Sequence, residues 1–268
     1  MRFSRFIALC AIIVMLPVSA FALRIDNPKI HTYLAVADTY SDTINVENTL
    51  DTPVAVRIYL EDFAYVSPFD GTKEFYSPGT TDTSLASWIS FAPQEINLAA
   101  RERKEIKINL KPNGAFTKVH CGVLFFETTI GKGFDQEGKT VMILGRVGSL
   151  LIIEPKPGKK KAVFDAVTAK DHSLTGNFTN NGDTFLYAKG SYYVMDAKGM
   201  VADRGATPEF YTLPGNKAEV KISLSKDISS GDYTLFFNFD LEGGDVLVKE
   251  IDISIPPQGE VLISNVRD

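Results

Sequence analysis

The sequence predicts an all-β protein, two immunoglobulin-like β-sandwich domains in tandem after a cleaved signal peptide. Three observations lead there. From Leu23 onward, apolar and polar residues alternate in short runs, the period of strands with one buried face. Gly, Pro, Asn and Asp punctuate the runs every few residues. Between Leu23 and Pro155 no stretch holds a helical period.

The chain opens with Arg2 and Arg5, an apolar run from Phe6 to Leu16, Pro17, and the small-x-small triplet Ala20-Phe21-Ala22. That order describes residues 1–22 as a secretory signal peptide cleaved after Ala22. Cleavage leaves 246 of the 268 residues, enough for two domains of roughly 110–120 residues each. Losing Arg2 and Arg5 takes the 28 basic residues to 26 against 33 acidic ones, a formal charge of −7. Such a balance disfavours nucleic acid as a partner. Cys10 leaves with the signal, so Cys121 remains as a lone thiol within a strand, read as a buried structural cysteine. Export without disulfides places the mature chain in a bacterial periplasm, and no second apolar run is long enough to insert it in a membrane.

The elements follow in order. In "TINVENTLDTPVAVRIYLED", Ile44 and Val46 share one face, "NTLDTP" turns, and Val54, Val56, Ile58 and Leu60 line the next strand. Residues 64–87 read as an irregular stretch. Trp88 then begins a strand, Ile96 and Leu98 mark another, and Ile106, Ile108 and Leu110 a third. "HCGVLFFETT" and "TVMILGRVGSLLIIEP" complete seven or eight strands, the size of one immunoglobulin-like sandwich spanning residues 23–155. "EPKPGKKK" supplies the boundary, with 156–162 as linker. In 163–256, "SLTGNFTNNGD", "GSYYVMDAKGMV", "AEVKISL", "GDYTLFFNFDL" and "VLVKEIDISIP" read as strands of a second sandwich. There Tyr233 takes the place of a tyrosine corner. Residues 257–268 read as an extended, loosely held tail.

Catalytic chemistry finds little footing. The three histidines, at 31, 120 and 172, have no metal-ligand spacing, and no nucleophile elbow is present. Carboxylate pairs such as Glu61-Asp62 read as solvated strand ends. "GFDQEGKT" at 133–140 matches the phosphate-loop pattern, but a strand rather than a helix follows it, and Asp135 and Glu137 place negative charge where phosphate would sit. It is read as a polar hairpin loop, with no nucleotide and no cofactor expected, and the protein is read as not an enzyme.

Residues 23–155 resemble the N-terminal domain of the periplasmic pilus-assembly (PapD-like) chaperones. The resemblance is one of motif order: "NPKI", the "INVENTLDTPVAVRIYLED" pair, "SWISFAPQEINLAARERKEIKINLKP", and "GVLFFET" before a long loop and a closing "VMILGRVGSLLIIEP". The C-terminal half is similar only as a generic immunoglobulin-like domain. The resemblance implies a chaperone that lends a strand to an exported, pilin-like subunit, with Val141, Met142, Ile143 and Leu144 on that strand. It also implies a basic anchor for the subunit's terminal carboxylate, for which Lys29 and Arg146 are the available residues. The run 141–144 is apolar on both faces, which suits either a strand with a partner on one side or one buried inside its own sandwich. A structural or adhesive two-domain surface protein without a client is the alternative reading.

Overall fold

A computed structural model describes residues 22–243, 246–257 and 260–267, and the expected signal peptide lies outside them as far as Phe21. Among the described residues there is no helix, so none is long and apolar enough to cross a membrane. The fold is all-β.

The first half holds ten strands. They are β1 (Leu23–Ile25), β2 (Lys29–Leu34), β3 (Tyr40–Asn48), β4 (Val54–Tyr65) and β5 (Lys73–Tyr76). Next come β6 (Ile89–Ala92), β7 (Glu95–Leu98), β8 (Arg103–Leu110), β9 (His120–Phe134) and β10 (Thr140–Pro155). One sheet has the order β1-β3-β8-β6. The other has the order β2-β10-β9-β4-β5, with β7 also paired to β4. The β3–β4 connection therefore crosses between sheets. Ile44 and Val46 of β3 face Val56, Ile58 and Leu60 of β4 through one core completed by Leu98, Ile106, Ile108, Leu110 and Phe126. The alternation that predicts these strands is the burial pattern itself.

The second half holds β11 (Ala162–Lys170), β12 (Ser173–Asn180), β13 (Leu186–Asp196), β14 (Val201–Ala206) and β15 (Phe210–Thr212). It continues with β16 (Lys217–Ser223), β17 (Gly231–Asp240), β18 (Val246–Ile255) and β19 (Leu262–Arg267). The sheets β11-β12-β16 and β14-β13-β17-β18-β19 enclose a separate core around Phe164, Phe178, Phe237 and Phe239. Tyr233 Oη donates to the Ser229 carbonyl at 2.8 Å, the back-bond of a tyrosine corner.

The two halves share a hidden likeness. Asn48, at the end of β3, donates to the carbonyls of Thr52 and Ala99 and accepts from the Leu50 amide. Asn180, at the end of β12, donates to Thr184 and Thr212 and accepts from Gly182. Each asparagine satisfies the backbone of the loop that leaves its strand, as a buried loop requires.

Four expectations need correction. Residues 64–87 contain β5, paired with β4 over Asp62–Tyr65. Asp62 is not solvated: it is fully buried within β4 and accepts from the Thr80 and Thr81 amides and from the Ser84 hydroxyl at 2.7 Å. Residues 262–267 of the tail are not loose, because β19 pairs with β18 and Arg267 bridges Glu250 and Asp252. Ala162, placed in the linker, is a buried first residue of β11.

A third apolar cluster joins the halves. Phe63, Tyr65, Cys121 and Ile152 meet Phe185 and Leu213 there. The Val119 amide donates to the Asp183 carbonyl, and the Tyr211 amide to that of Phe69. Buried Glu154 accepts from the Phe185 amide at 3.0 Å and faces His31 Nε2 at 3.2 Å. Cys121 is fully buried, and burial pushes its thiol up to about 12, as a structural cysteine requires.

Candidate functional site

The longest strands, β9 and β10, form a hairpin that projects past the sandwich. The turn between them is short, not the long loop expected. The ladder runs out to Phe134 opposite Thr140, leaving residues 135–139 to turn. Gly138 takes φ 77°, where a side chain would be strained. The amides of Glu137 and Lys139 both donate to Asp135 Oδ1, and those of Asp135 and Gly138 donate to backbone carbonyls, so these four N–H groups of the apparent phosphate loop are occupied by the chain itself. Lys139 pairs with Glu137.

Parity along β10 sorts its side chains. Leu151 and Ile153 lie in the first core and Val147 packs against it, so Val141 and Ile143 continue the core-facing side beyond the point where the core ends. Met142 and Leu144 lie on the opposite face with Arg146. An extra residue in β9 shifts the register between Ile143 and Leu144 but leaves β10 unbroken. Val141, Met142, Ile143 and Leu144 are 39, 52, 46 and 55% exposed. The strand is therefore not buried inside its own sandwich, and neither face of this run is covered.

The backbone is open as well. β9 pairs with β10 along its length, but β2 joins the other edge only from Leu150, opposite Lys29. The Leu150 amide donates to Pro28 O at 2.9 Å, so the even-numbered amides point to that edge. Those of Met142, Leu144, Arg146 and Gly148 then face outward, and no strand pairs with them among the described residues. An unpaired apolar edge of nine residues, Thr140–Gly148, is roughly 30 Å long and is a template for a further strand.

The cations divide into two groups. Arg146 Nη1 lies 3.1 Å from Glu61 Oε2 and 3.3 Å from the Tyr59 hydroxyl, with the guanidinium 4.0 Å from the Phe125 ring centroid. Burial works against its charge, but Tyr59 and Glu61 outweigh it and hold the guanidinium above its ordinary value. Lys29 stands elsewhere, opposite Leu150 and so about 13 Å further along β10, with Nζ 5.4 Å from the Phe185 ring. The structure does not bring Lys29 and Arg146 together. The ring beneath Lys29 stacks on Tyr65 with centroids 5.8 Å apart, and Lys73 Nζ lies 4.8 Å from that Tyr65 ring and 2.8 Å from Gly71 O. Burial pushes the Lys73 ammonium below its ordinary value, and the charge of Lys29 adds to the shift.

No family model matches the chain, and no curated protein does. Solved structures do. The crystal structure of the class 5 fimbriae chaperone CfaA aligns with TM-score 0.51 over 91% of this chain and 99% of that one. The chain has the PapD-like chaperone fold. At 15% identity the likeness to CfaA is one of fold. A chain from the chaperone–tip adhesin complex of CFA/I fimbriae aligns at TM-score 0.48 and 13% identity, covering 84% of this chain and 96% of that one. The YadV chaperone aligns at 0.45 and 11%, covering 88% and 100%.

Lys73 is a cation near the candidate edge that the sequence did not single out. It stands in "GTKEFY", where the four strand residues do not alternate and the run is too short to register as a strand. Its signal was the pairing of a lysine with two aromatics in that run. Its neighbour in space, Lys29, is 44 positions away.

Proposed function

We propose that this protein is a periplasmic chaperone that binds an exported, pilin-like subunit by strand addition along the open edge of β10. The observation that carries the proposal is the coincidence of exposed apolar side chains at 141–144 with outward-facing amides on the same segment. Main-chain hydrogen bonds would supply affinity, and alternate side chains would cover the subunit's incomplete core. The CfaA structure supports the reading as a fold in which a fimbrial chaperone is built.

A subunit strand running parallel to β10 would be collinear with β2 and would end beside Lys29. Lys29 and Lys73 have no carboxylate ion-pair partner among the described residues. A terminal carboxylate there would relieve their mutual repulsion and accept charge-assisted hydrogen bonds. The anchor we propose is thus Lys29 with Lys73, while Arg146 serves its own sheet through Glu61.

Ile143→Asp tests the proposal. Position 143 lies outside both cores, so the variant should fold with an unchanged melting temperature. It should lose co-purification with a co-expressed fimbrial subunit that the parent protein captures. Unchanged capture by the folded variant contradicts strand addition at this edge.

A further inference from the structure

The core-facing stripe of β10 reads Val141, Ile143, Gly145, Val147, so one position in it has no side chain. A cavity of about 260 Å³ opens at that gap, lined by Leu23, Thr128, Ile130, Gly145 and Val147 among others. A second apolar-lined hollow, of about 460 Å³, continues from it past Leu23 and Val147 to Ile25, Pro28 and Gly148. The first lies between β1 and the core-facing side of the β9–β10 hairpin, and the second carries it past Gly148 towards Pro28, on the side of β10 whose amides are unpaired. A Cβ placed on Gly145 would stand 2.9 Å from Ile130 Cγ2, so any side chain there would close the notch against Ile130.

We infer that this notch is a specificity pocket for one large apolar side chain, Phe or Leu, carried by the added strand. The inference rests on the strand-addition reading and fixes its partner's chemistry at one position. The open amides call for an extended backbone, continuous with the existing β2–β10 pairing, and the lining calls for an apolar side chain projecting from it. A dry apolar cavity of about 150 Å³ already admits benzene, so an aromatic ring fits. At its other core-facing positions the chaperone supplies the side chains and the partner needs room. At Gly145 the roles reverse.

The probes are nine-residue Thr/Val peptides in which one core-facing position at a time is Ala, Leu or Phe, titrated against the full mature chain. The parent protein should bind Phe about tenfold or more tighter than Ala at one position only. Gly145→Val should erase that preference while still binding the all-Val peptide, and its melting temperature shows whether it folds. Ile130→Ala, which widens the notch from an exposed position, should move the optimum from Phe to Trp. Binding without positional preference, or a preference that survives in Gly145→Val, overturns the notch and leaves strand addition standing. No binding by any peptide overturns both.

Discussion

Arg146 Nη1 lies 3.1 Å from Glu61 Oε2, joining β10 to β4 across the intervening strand β9. The contact is partly solvated, so its worth is modest: with the Phe125 stacking, Arg146→Ala should cost about 1 kcal/mol. Subunit capture should persist in that variant. Lys29→Ala and Lys73→Ala should instead weaken capture with little change in melting temperature. The comparison checks which cations face the partner. Equal loss from all three would contradict the division.

A second prediction uses the sole tryptophan. His120 Nδ1 meets the Ser84 carbonyl at 2.9 Å, and its ring centroid lies 3.9 Å from that of Trp88. Burial pushes the imidazole below its ordinary 6.5, more than the carbonyl raises it. The folded state therefore favours neutral His120. Its contribution to stability is full above 6.5 and is lost as pH falls through the lower folded value. Trp88 fluorescence should titrate with a midpoint below 6.5, and His120→Phe should abolish the transition. A midpoint above 6.5 would contradict the burial argument.

The paired asparagines give a third. Removing either amide takes away three hydrogen bonds at a buried loop, although Ala99 O keeps the Glu102 amide, so Asn48→Ala and Asn180→Ala should each lose about 2–3 kcal/mol. Asn48→Ala should destabilise the first core and Asn180→Ala the second. Chemical denaturation followed at Trp88, in the first core, should register mainly the former.

What was legible in the sequence follows from range. The faces of β3, β4 and β8 were readable because burial with period 2 is a local signal, and Val54, Val56, Ile58 and Leu60 fall on it. The span Thr140–Pro155 was readable as one strand for the same reason. Whether residues 141–144 were covered was not, because periodicity is identical inside a sandwich and beyond its end. Register decides that, through β2 stopping opposite Leu150. The partners of Arg146 and Asp62 lay in other segments of chain, 85 and about 20 positions away, and no local pattern announces such contacts. Lys29 stood on a readable strand, but its companion Lys73 sat in a run of four.

Amide exchange at β10 tests the central claim most directly. In the free protein the amides of Met142, Leu144, Arg146 and Gly148 should exchange quickly while those of Val141, Ile143 and Val147, bonded to β9, are protected. In a complex with a captured fimbrial subunit the first four should become protected too. Protection of those four in the free protein, or their continued fast exchange in such a complex, would contradict an open edge that accepts a partner's strand.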